Sequence, residues 1–494
     1  MANYKDIFSL VQSLGKGERR NLHILANQWG RQPLHLQVLE ELYRMESLDM
    51  DRLRQKFTSD DRVIQRSIRK ILEVILQTRS IFEPGPRETI AREIADIRFL
   101  LEKGASGLAL DQIDKSLAGC QQRELFEEQS QLLLIKRRLT GNIRQADEEI
   151  GKIDILHRNL ISYLSLRERI KADLEDNRTG KNILCIRSIL ADELLLHAKS
   201  AISVKAEFQR LSIRFRIHNY LREYESMIQD LEQLRTLLQA NAEILDETGS
   251  ELLEHSFILA NVYIHRMQGD RARALMHSIE QMELFAADLI ARRFENYSLT
   301  QLGFACDFGD ASAGNAVLNL IDRNFNRYAN SISPLMQRLL LFMSAKYLFY
   351  RGDFEQADQY ICKIMAMAAV DQFKEFVPFA KAIQLLCAYE IGSFDEIENK
   401  TRSLQRILAS HDTQQVIPAR ILQMVKDCMR QVKNARPRIL NDFFQGKDSI
   451  AASEFHYFDF DLYLEAKLST TDMLSLAEKR VNTQAIHGRP AQLG

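Results

Sequence analysis

Apolar and polar positions along the middle of the chain recur with a period of roughly 40 residues, which is typical of arrays of two-helix units. Each period is marked by a position expected to end a helix, and an apolar residue precedes it by seven positions in every case but Asp173. These helix-ending positions are Gly104, Gly141, Gly180, Arg222, Gly269, Gly309, Gly352 and Gly392. The spacing predicts about eight stacked two-helix units over residues 87–410.

Local chemistry explains this spacing. A Gly adopts the left-handed turn at the end of a helix without steric cost. Five residues later stands a mostly small residue, which lets the paired helices cross closely; these are Ala109, Ala146, Cys185, Met227, Ala274, Gly314, Ala357 and Ile397. One pair cannot bury its apolar stripe alone, so neighbouring pairs must stack.

Residues 1–86 do not follow the repeat and are predicted to form a separate helical domain. Helices are expected near 4–14, 17–28, 34–46, 49–57 and 61–82, before the breaker Glu83-Pro84-Gly85-Pro86. In the last of these helices an apolar stripe that includes Ile64, Ile68 and Ile71 lies opposite the charged face.

Beyond 410 the repeat fades into helices predicted near 414–434 and 437–445. An aromatic stretch then runs from Phe455 to Leu464, and its alternation is also compatible with a strand. We favour a helix or an irregular cap there, because no other segment offers a partner strand. Residues 411–480 are predicted to cap the array, and residues 481–494 are predicted to be a disordered tail.

Composition supports an all-α chain. Only 20 Gly and 8 Pro occur among 494 residues, and the net charge of −1 argues neither for nucleic acid nor for an anionic membrane. Six scattered cysteines, without a C-x-x-C pair, are typical of small buried side chains in a reducing compartment. No signal peptide and no apolar run long enough to span a bilayer is found, so we expect a cytoplasmic protein.

The stretch 345–357, with Tyr360, Ile361 and Ile364 after it, resembles a tetratricopeptide repeat, and 302–321 and 262–281 are similar to degenerate copies. The Trp and Pro landmarks of that family are missing, and the spacing is longer. As a whole the chain looks like a group of bacterial proteins of similar length that carry such repeats and have no established activity. The resemblance implies a right-handed α–α superhelix, a tetratricopeptide-like solenoid, that binds proteins or peptides.

No catalytic or cofactor motif is present, and we expect neither an enzyme nor a cofactor. The 11 His residues are dispersed, and His218 and His265 are expected to be satisfied at helix interfaces. A cation site at Asp459, Asp461 and Glu465 can be imagined, but a solvated face opposite the Phe residues is favoured, so no metal is predicted.

In tetratricopeptide-like units the first helix lines the concave surface. Residues on the corresponding face are candidates for gripping a peptide, since aromatic rings bury area and amides pair with its backbone. They are Arg216, Asn219, Tyr220, Tyr263, Arg266, Asn296, Lys346, Phe349, Tyr350 and Tyr389. The alternative is that they make ordinary contacts within the array.

The N-terminal domain offers a second hypothesis. Helices 49–57 and 61–82 could form a helix-turn-helix that presents Arg62, Arg66 and Arg69 to DNA, as in a transcriptional regulator with a peptide-sensing repeat domain. Against it, the second helix is long for a recognition helix and its apolar stripe runs along its full length. An amphipathic helix that caps the array is favoured.

Overall fold

The computed structural model describes residues 4–27, 34–45, 48–57, 60–82, 85–176, 183–246, 248–329, 331–367, 375–410, 415–431, 435–445, 454 and 457–487. Over these ranges the chain contains helices and connectors and no strand, so the all-α prediction is confirmed. The chain divides into two compact units, Met1–Ile213 with Glu243–Leu245, and Arg214–Ala242 with Asp246–Gly494.

The N-terminal helices of the first unit follow the predicted ranges closely. They are α1 (Tyr4–Ser13), α2 (Lys16–Asn27), α3 (Leu34–Arg44), α4 (Met50–Phe57) and α5 (Asp61–Phe82). The stripe of Ile64, Ile68 and Ile71 on α5 is buried in one cluster with Val11 of α1 and Leu42 of α3. The 3.6-residue periodicity therefore identified the face of α5 that packs on the other helices.

Helix α4 is tied to α3 by a buried carboxylate. Glu41 of α3 is 2% exposed and accepts hydrogen bonds from Arg52, whose Nη2 is 2.9 Å from Oε1, and from Lys56. The hydrogen bond from Lys56 is the main reason that the pKa of Glu41 lies below its ordinary value. A buried carboxylate is tolerated here because two cations neutralise it.

We expect Glu41→Gln to destabilise the N-terminal helices by about 1 kcal/mol at neutral pH, since both cations are half exposed and can be solvated. Because the folded-state pKa is depressed, the stabilisation is present above the ordinary pKa of 4.5 and is lost as the pH falls through the lower folded value. Thermal unfolding of both proteins between pH 7 and pH 3 should show the difference vanishing on acidification. The control Glu73→Gln, at an exposed i,i+3 pair with Lys70, should change little; an equal loss there would contradict the assignment.

The first unit continues with α6 (Pro86–Glu102), α7 (Ser106–Gln122), α8 (Phe126–Thr140), α9 (Ile143–Asp176), α10 (Ile183–Ile189), α11 (Glu193–Leu196) and the start of α12 (Val204–Tyr220). Consecutive helices from α6 to α9 pack pairwise. Helix α9 has 34 residues and runs through the place where the spacing predicts a boundary between two hairpins. Its sequence explains this, because no Gly or Pro follows Gly151 within it. Gly180 lies outside the described residues.

Helix α12 obtains its N-terminal cap from the turn between α7 and α8. Glu124, in the left-handed region with φ 49°, accepts hydrogen bonds from Val204 N and Lys205 N, both at 2.8 Å. Lys205 Nζ in turn donates to Arg123 O at 2.6 Å. The carboxylate satisfies two of the backbone N–H groups that a helix start leaves without a partner.

The second unit is built from packed helix pairs. Its helices after α12 are α13 (Tyr224–Ala240), α14 (Ala242–Leu245, shared with the first unit), α15 (Ser250–His265), α16 (Gly269–Glu280), α17 (Ala287–Phe308), α18 (Ala311–Tyr328), α19 (Pro334–Arg351), α20 (Phe354–Ala366), α21 (Val377–Ile391), α22 (Phe394–Ser410), α23 (Val416–Arg430), α24 (Arg436–Gln445), α25 (Phe460–Ser469) and α26 (Met473–His487). Helices α15 and α16, α17 and α18, α19 and α20, and α21 and α22 form the pairs. The first helices α15, α17, α19 and α21 also pack in succession, which is compatible with a helical repeat protein.

Six of the helix-ending positions have the left-handed backbone that the sequence predicts. They are Gly104, Gly141, Arg222, Gly309, Gly352 and Gly392, with φ between 56° and 85°. At Gly269 the prediction is wrong by two residues, because Met267 takes the left-handed turn, with φ 56°, and Gly269 begins α16. Ala272 is accordingly buried, whereas Ala274 is exposed. Gly269 is small for another reason: a Cβ there would lie 2.6 Å from the Phe308 ring.

Gly314 shows why the position five residues after a helix end is small. A Cβ on Gly314 would lie 2.1 Å from Cε2 of Tyr347, whose side chain is fully buried. The Tyr347 hydroxyl donates to Ala311 O and contacts Asn315 Oδ1, each at 2.9 Å, so the ring is held in place. Helices α18 and α19 can therefore pack at this distance only because position 314 is a glycine.

Residues 460–469 and 473–487 are helical, as favoured for the aromatic stretch from Phe460 onward. Phe455 and His456 lie outside the described residues. Helix α25 begins after Asp459, whose Oδ1 accepts a hydrogen bond from Leu462 N at 2.8 Å. Helix α26 reaches His487 and so includes residues 481–487 of the predicted tail, while residues 488–494 lie outside the described part of the chain. Packing of Val481 against the cluster that contains Phe304 and Phe308 explains the added helical turn.

In the second unit, helix α23 takes its N-terminal cap from a residue far along the chain. The carboxylate of Glu454 accepts hydrogen bonds from Val416 N at 3.0 Å and from Ile417 N at 2.8 Å. These are the first two residues of α23. The cap links α23 to the segment that leads into α25.

Candidate functional site

Three predicted groove residues on α19 are buried beneath the C-terminal segment. Lys346, Phe349 and Tyr350 are at most 4% exposed. The Phe349 ring lies 5.5 Å from Phe458 and 5.8 Å from Tyr463, centroid to centroid. Tyr350 Oη accepts a hydrogen bond from Asp459 N at 3.0 Å, and burial raises the pKa of Tyr350. In this arrangement Phe349 and Tyr350 are covered by residues 458–463 and are not open to solvent.

The predicted residues on α12 remain accessible. Arg216 and Asn219 are exposed and Tyr220 is half-buried. Their positions, three and four residues apart, place them on one side of the helix, next to its C-terminus. An arginine, an amide and a phenol with solvent access can pair with a peptide backbone or with acidic side chains.

On α15 the two predicted residues already have intramolecular partners. Tyr263 is buried and its hydroxyl donates to Glu232. Arg266 Nη2 donates to Glu225 Oε1 at 3.1 Å, and its guanidinium carbon lies 5.8 Å from the centre of the Tyr224 ring. Tyr263 therefore fits the alternative of an ordinary contact within the array, while Arg266 keeps partial exposure.

The remaining two groove candidates are half-buried. Asn296 lies on α17, and Tyr389 lies on α21 with the Arg436 guanidinium 5.9 Å from its ring centre. Burial raises the pKa of Tyr389. The ten predicted residues are thus spread over α12, α15, α17, α19 and α21, and the two exposed ones both lie on α12.

His218 anchors a buried polar network between α12 and α13. Its Nδ1 lies 2.8 Å from Glu223 Oε2, and its Nε2 lies 3.5 Å from Asp230 Oδ2. Asp230 also accepts a hydrogen bond from Arg214 Nε at 3.0 Å. His265 contacts the Tyr224 ring edge-on at 5.0 Å. Both histidines lie at helix interfaces as expected, and the His218 network holds the two helices together.

The carboxylates near the C-terminus face an arginine. Arg480 Nη1 lies 3.3 Å from Asp459 Oδ2, and Arg480 also donates to Glu465. Desolvation raises the pKa of Asp459, against the hydrogen bond from Leu462 N and the charge of Arg480. The guanidinium of Arg480 therefore lies at the carboxylates that were considered for a cation site. Among the described residues, no group of three His, Cys, Asp or Glu side chains could hold a metal ion.

The arginines proposed for DNA lie on the exposed side of α5. Arg62, Arg66 and Arg69 are exposed, and Arg69 Nη2 donates to the hydroxyl of Tyr4 at 3.2 Å. Glu73 is exposed one turn further along. The face is cationic at its start and mixed in charge beyond it.

Four cysteines, Cys120, Cys306, Cys387 and Cys428, are buried as predicted, whereas Cys362 is exposed; the Cys185 side chain lies outside the described residues. Within the described residues, no helix is long and apolar enough to cross a membrane. Comparisons with protein-family models, curated proteins and solved structures find no match.

Proposed function

We propose that the protein is a non-enzymatic helical-repeat scaffold that binds a protein or peptide partner, without a cofactor, in the cytoplasm. The proposal rests on a difference in exposure between candidate residues on different helices of the second unit. The C-terminal segment buries Lys346, Phe349 and Tyr350, whereas Arg216 and Asn219 stay exposed on a helix of the same unit. A right-handed superhelix of the tetratricopeptide type, with these first helices on its concave side, would place the open residues in a continuous groove.

The open residues suggest how a partner is held. Arg216 can form a charge-assisted hydrogen bond with a carboxylate, and Asn219 can pair with both backbone groups of an extended or helical peptide. The half-buried Tyr220 offers a rigid ring that loses little entropy on binding. A partner with acidic side chains beside an apolar anchor fits this surface.

We expect Arg216→Glu to weaken capture of the partner by about tenfold, since it replaces attraction by repulsion at the accessible end of the face. The measurement is quantitative mass spectrometry of proteins retained by the immobilised full chain and by the variant. Arg323→Glu is the matched control, because Arg323 is exposed on α18, the second helix of its pair. If both variants lose the same proteins, or neither loses any, binding through the first helices is contradicted.

A second candidate is a transcriptional regulator with an N-terminal helix-turn-helix. The exposure of Arg62, Arg66 and Arg69 along α5 favours it, while the engagement of Arg69 with Tyr4 and the exposed Glu73 weigh against it. It requires salt-sensitive binding of a DNA duplex that weakens when the three arginines become Ala.

A further inference from the structure

The face formed by α17 and α19 holds a helix of the same chain. Helix α26 packs on both, and it crosses the end of α17 at very short range. A Cβ placed on Gly309 would lie 2.2 Å from Leu474 O and 2.7 Å from Glu478 N. The glycine thus serves the left-handed turn, with φ 68°, and also the close approach of the α26 backbone.

Helix α26 is amphipathic in the way this face requires. Met473, Leu474, Leu476 and Ala477 are buried, and Val481 is partly buried against the same unit. Arg480 points its guanidinium at Asp459 and Glu465, with its side chain 35% exposed. The apolar side chains of α26 therefore pack against the unit, while Arg480 is held by carboxylates at the start of α25 and on it.

The link between α25 and α26 carries backbone strain. Thr470 has φ 54°, in the left-handed region that a β-branched residue rarely adopts. This conformation is unfavourable for threonine, and a change in the link that lets Thr470 leave it relieves the strain. The docked position of α26 is therefore a balance between its apolar contacts, the Arg480 ion pairs and this strain.

We propose that the α17–α19 face is a helix-binding groove, which α26 occupies within the chain and from which an amphipathic partner helix of the same kind displaces it. The inference rests on the proposed scaffold function and names the kind of partner for this face: a helix with two or three buried aliphatic residues, whose backbone crosses α17 at Gly309. Displacement of α26 frees the binding surface on α17 and α19 that the free chain keeps covered.

The test uses the full chain and a fluorescein-labelled peptide with the sequence of residues 471–487, followed by fluorescence anisotropy. Arg480→Ala should bind the peptide about fivefold more tightly than the unaltered chain, because a weaker internal competitor leaves the groove open more often. Thr470→Gly should bind it about fivefold more weakly, since Gly adopts the left-handed turn without strain and stabilises the docked α26. A peptide with Leu474→Asp and Ala477→Asp should not bind.

The glycines supply the matched control. Added to Arg480→Ala, Gly309→Ala should abolish peptide binding, because the new methyl group meets the incoming helix backbone. Gly392→Ala has the same backbone penalty at φ 82° but no atom within 4 Å of its Cβ, so it should leave binding unchanged. Equal binding by all variants, or no binding by Arg480→Ala with an intact circular dichroism spectrum, would overturn the proposal. Failure here with partner loss on Arg216→Glu would leave the scaffold function standing.

Discussion

Phe458→Ala should destabilise the second unit by about 4 kcal/mol, the middle of the range for an aromatic side chain removed from a core. Phe458 is fully buried, and its ring lies 5.5 Å from Phe349 and 5.9 Å from Tyr350. Removing it leaves a cavity between the C-terminal segment and α19, because both neighbouring rings belong to a well-packed helix. Loss of this ring should also make Tyr350 accessible.

Differential scanning calorimetry of the full chain measures the effect. The control is Phe394→Ala, which removes the same atoms from a side chain that is 64% exposed and should cost less than about 1 kcal/mol. If Phe458→Ala and Phe394→Ala lower the unfolding temperature equally, packing of the C-terminal segment on α19 does not contribute to stability.

Gly314→Ala should destabilise the same unit by about 2 kcal/mol, even though Ala is the better helix former by about 1 kcal/mol. The added methyl group would lie 2.1 Å from the Tyr347 ring, whose hydroxyl is held by Ala311 O and Asn315 Oδ1. The helix pair must separate, or the Tyr347 hydroxyl must give up its partners. Either outcome exceeds the gain in helix propensity.

The comparison is Gly303→Ala, a glycine inside α17 whose Cβ would meet no atom within 4 Å. This substitution should stabilise the protein by up to about 1 kcal/mol, the difference in helix propensity. The urea midpoint of Gly314→Ala should therefore lie below that of the unaltered chain, and the midpoint of Gly303→Ala should lie above it. Midpoints on the same side would show that the spacing between α18 and α19 does not depend on Gly314.

Local chemistry made the helices predictable. Left-handed turns at Gly309, Gly352 and Gly392 follow from the freedom of glycine, and the apolar stripe of α5 follows from helical periodicity. Met267 was missed because a left-handed methionine carries no local signal, and the nearby Gly269 offered the more obvious turn. Only contact with Phe308, 39 positions later, explains why Gly269 is small.

The sequence predicted which face of the first helices the candidate residues share, but not which of them are exposed. Positions relative to the helix ends selected residues on the first helices, but they could not indicate that residues 458–463 cover Phe349 and Tyr350. That cover depends on a contact across 109 positions, between Tyr350 and Asp459. The aromatic stretch at the C-terminus was the available signal, since so many rings together require a large apolar surface to pack on.

The two borrowed caps differ in the order in which a ribosome delivers them. Glu124 leaves the exit tunnel well before Val204, so the start of α12 meets its carboxylate as soon as it emerges. The start of α23 emerges before its cap, and must wait for the 38 further residues that bring Glu454. Vectorial synthesis therefore leaves the first N–H groups of α23 to water until residue 454 has been made.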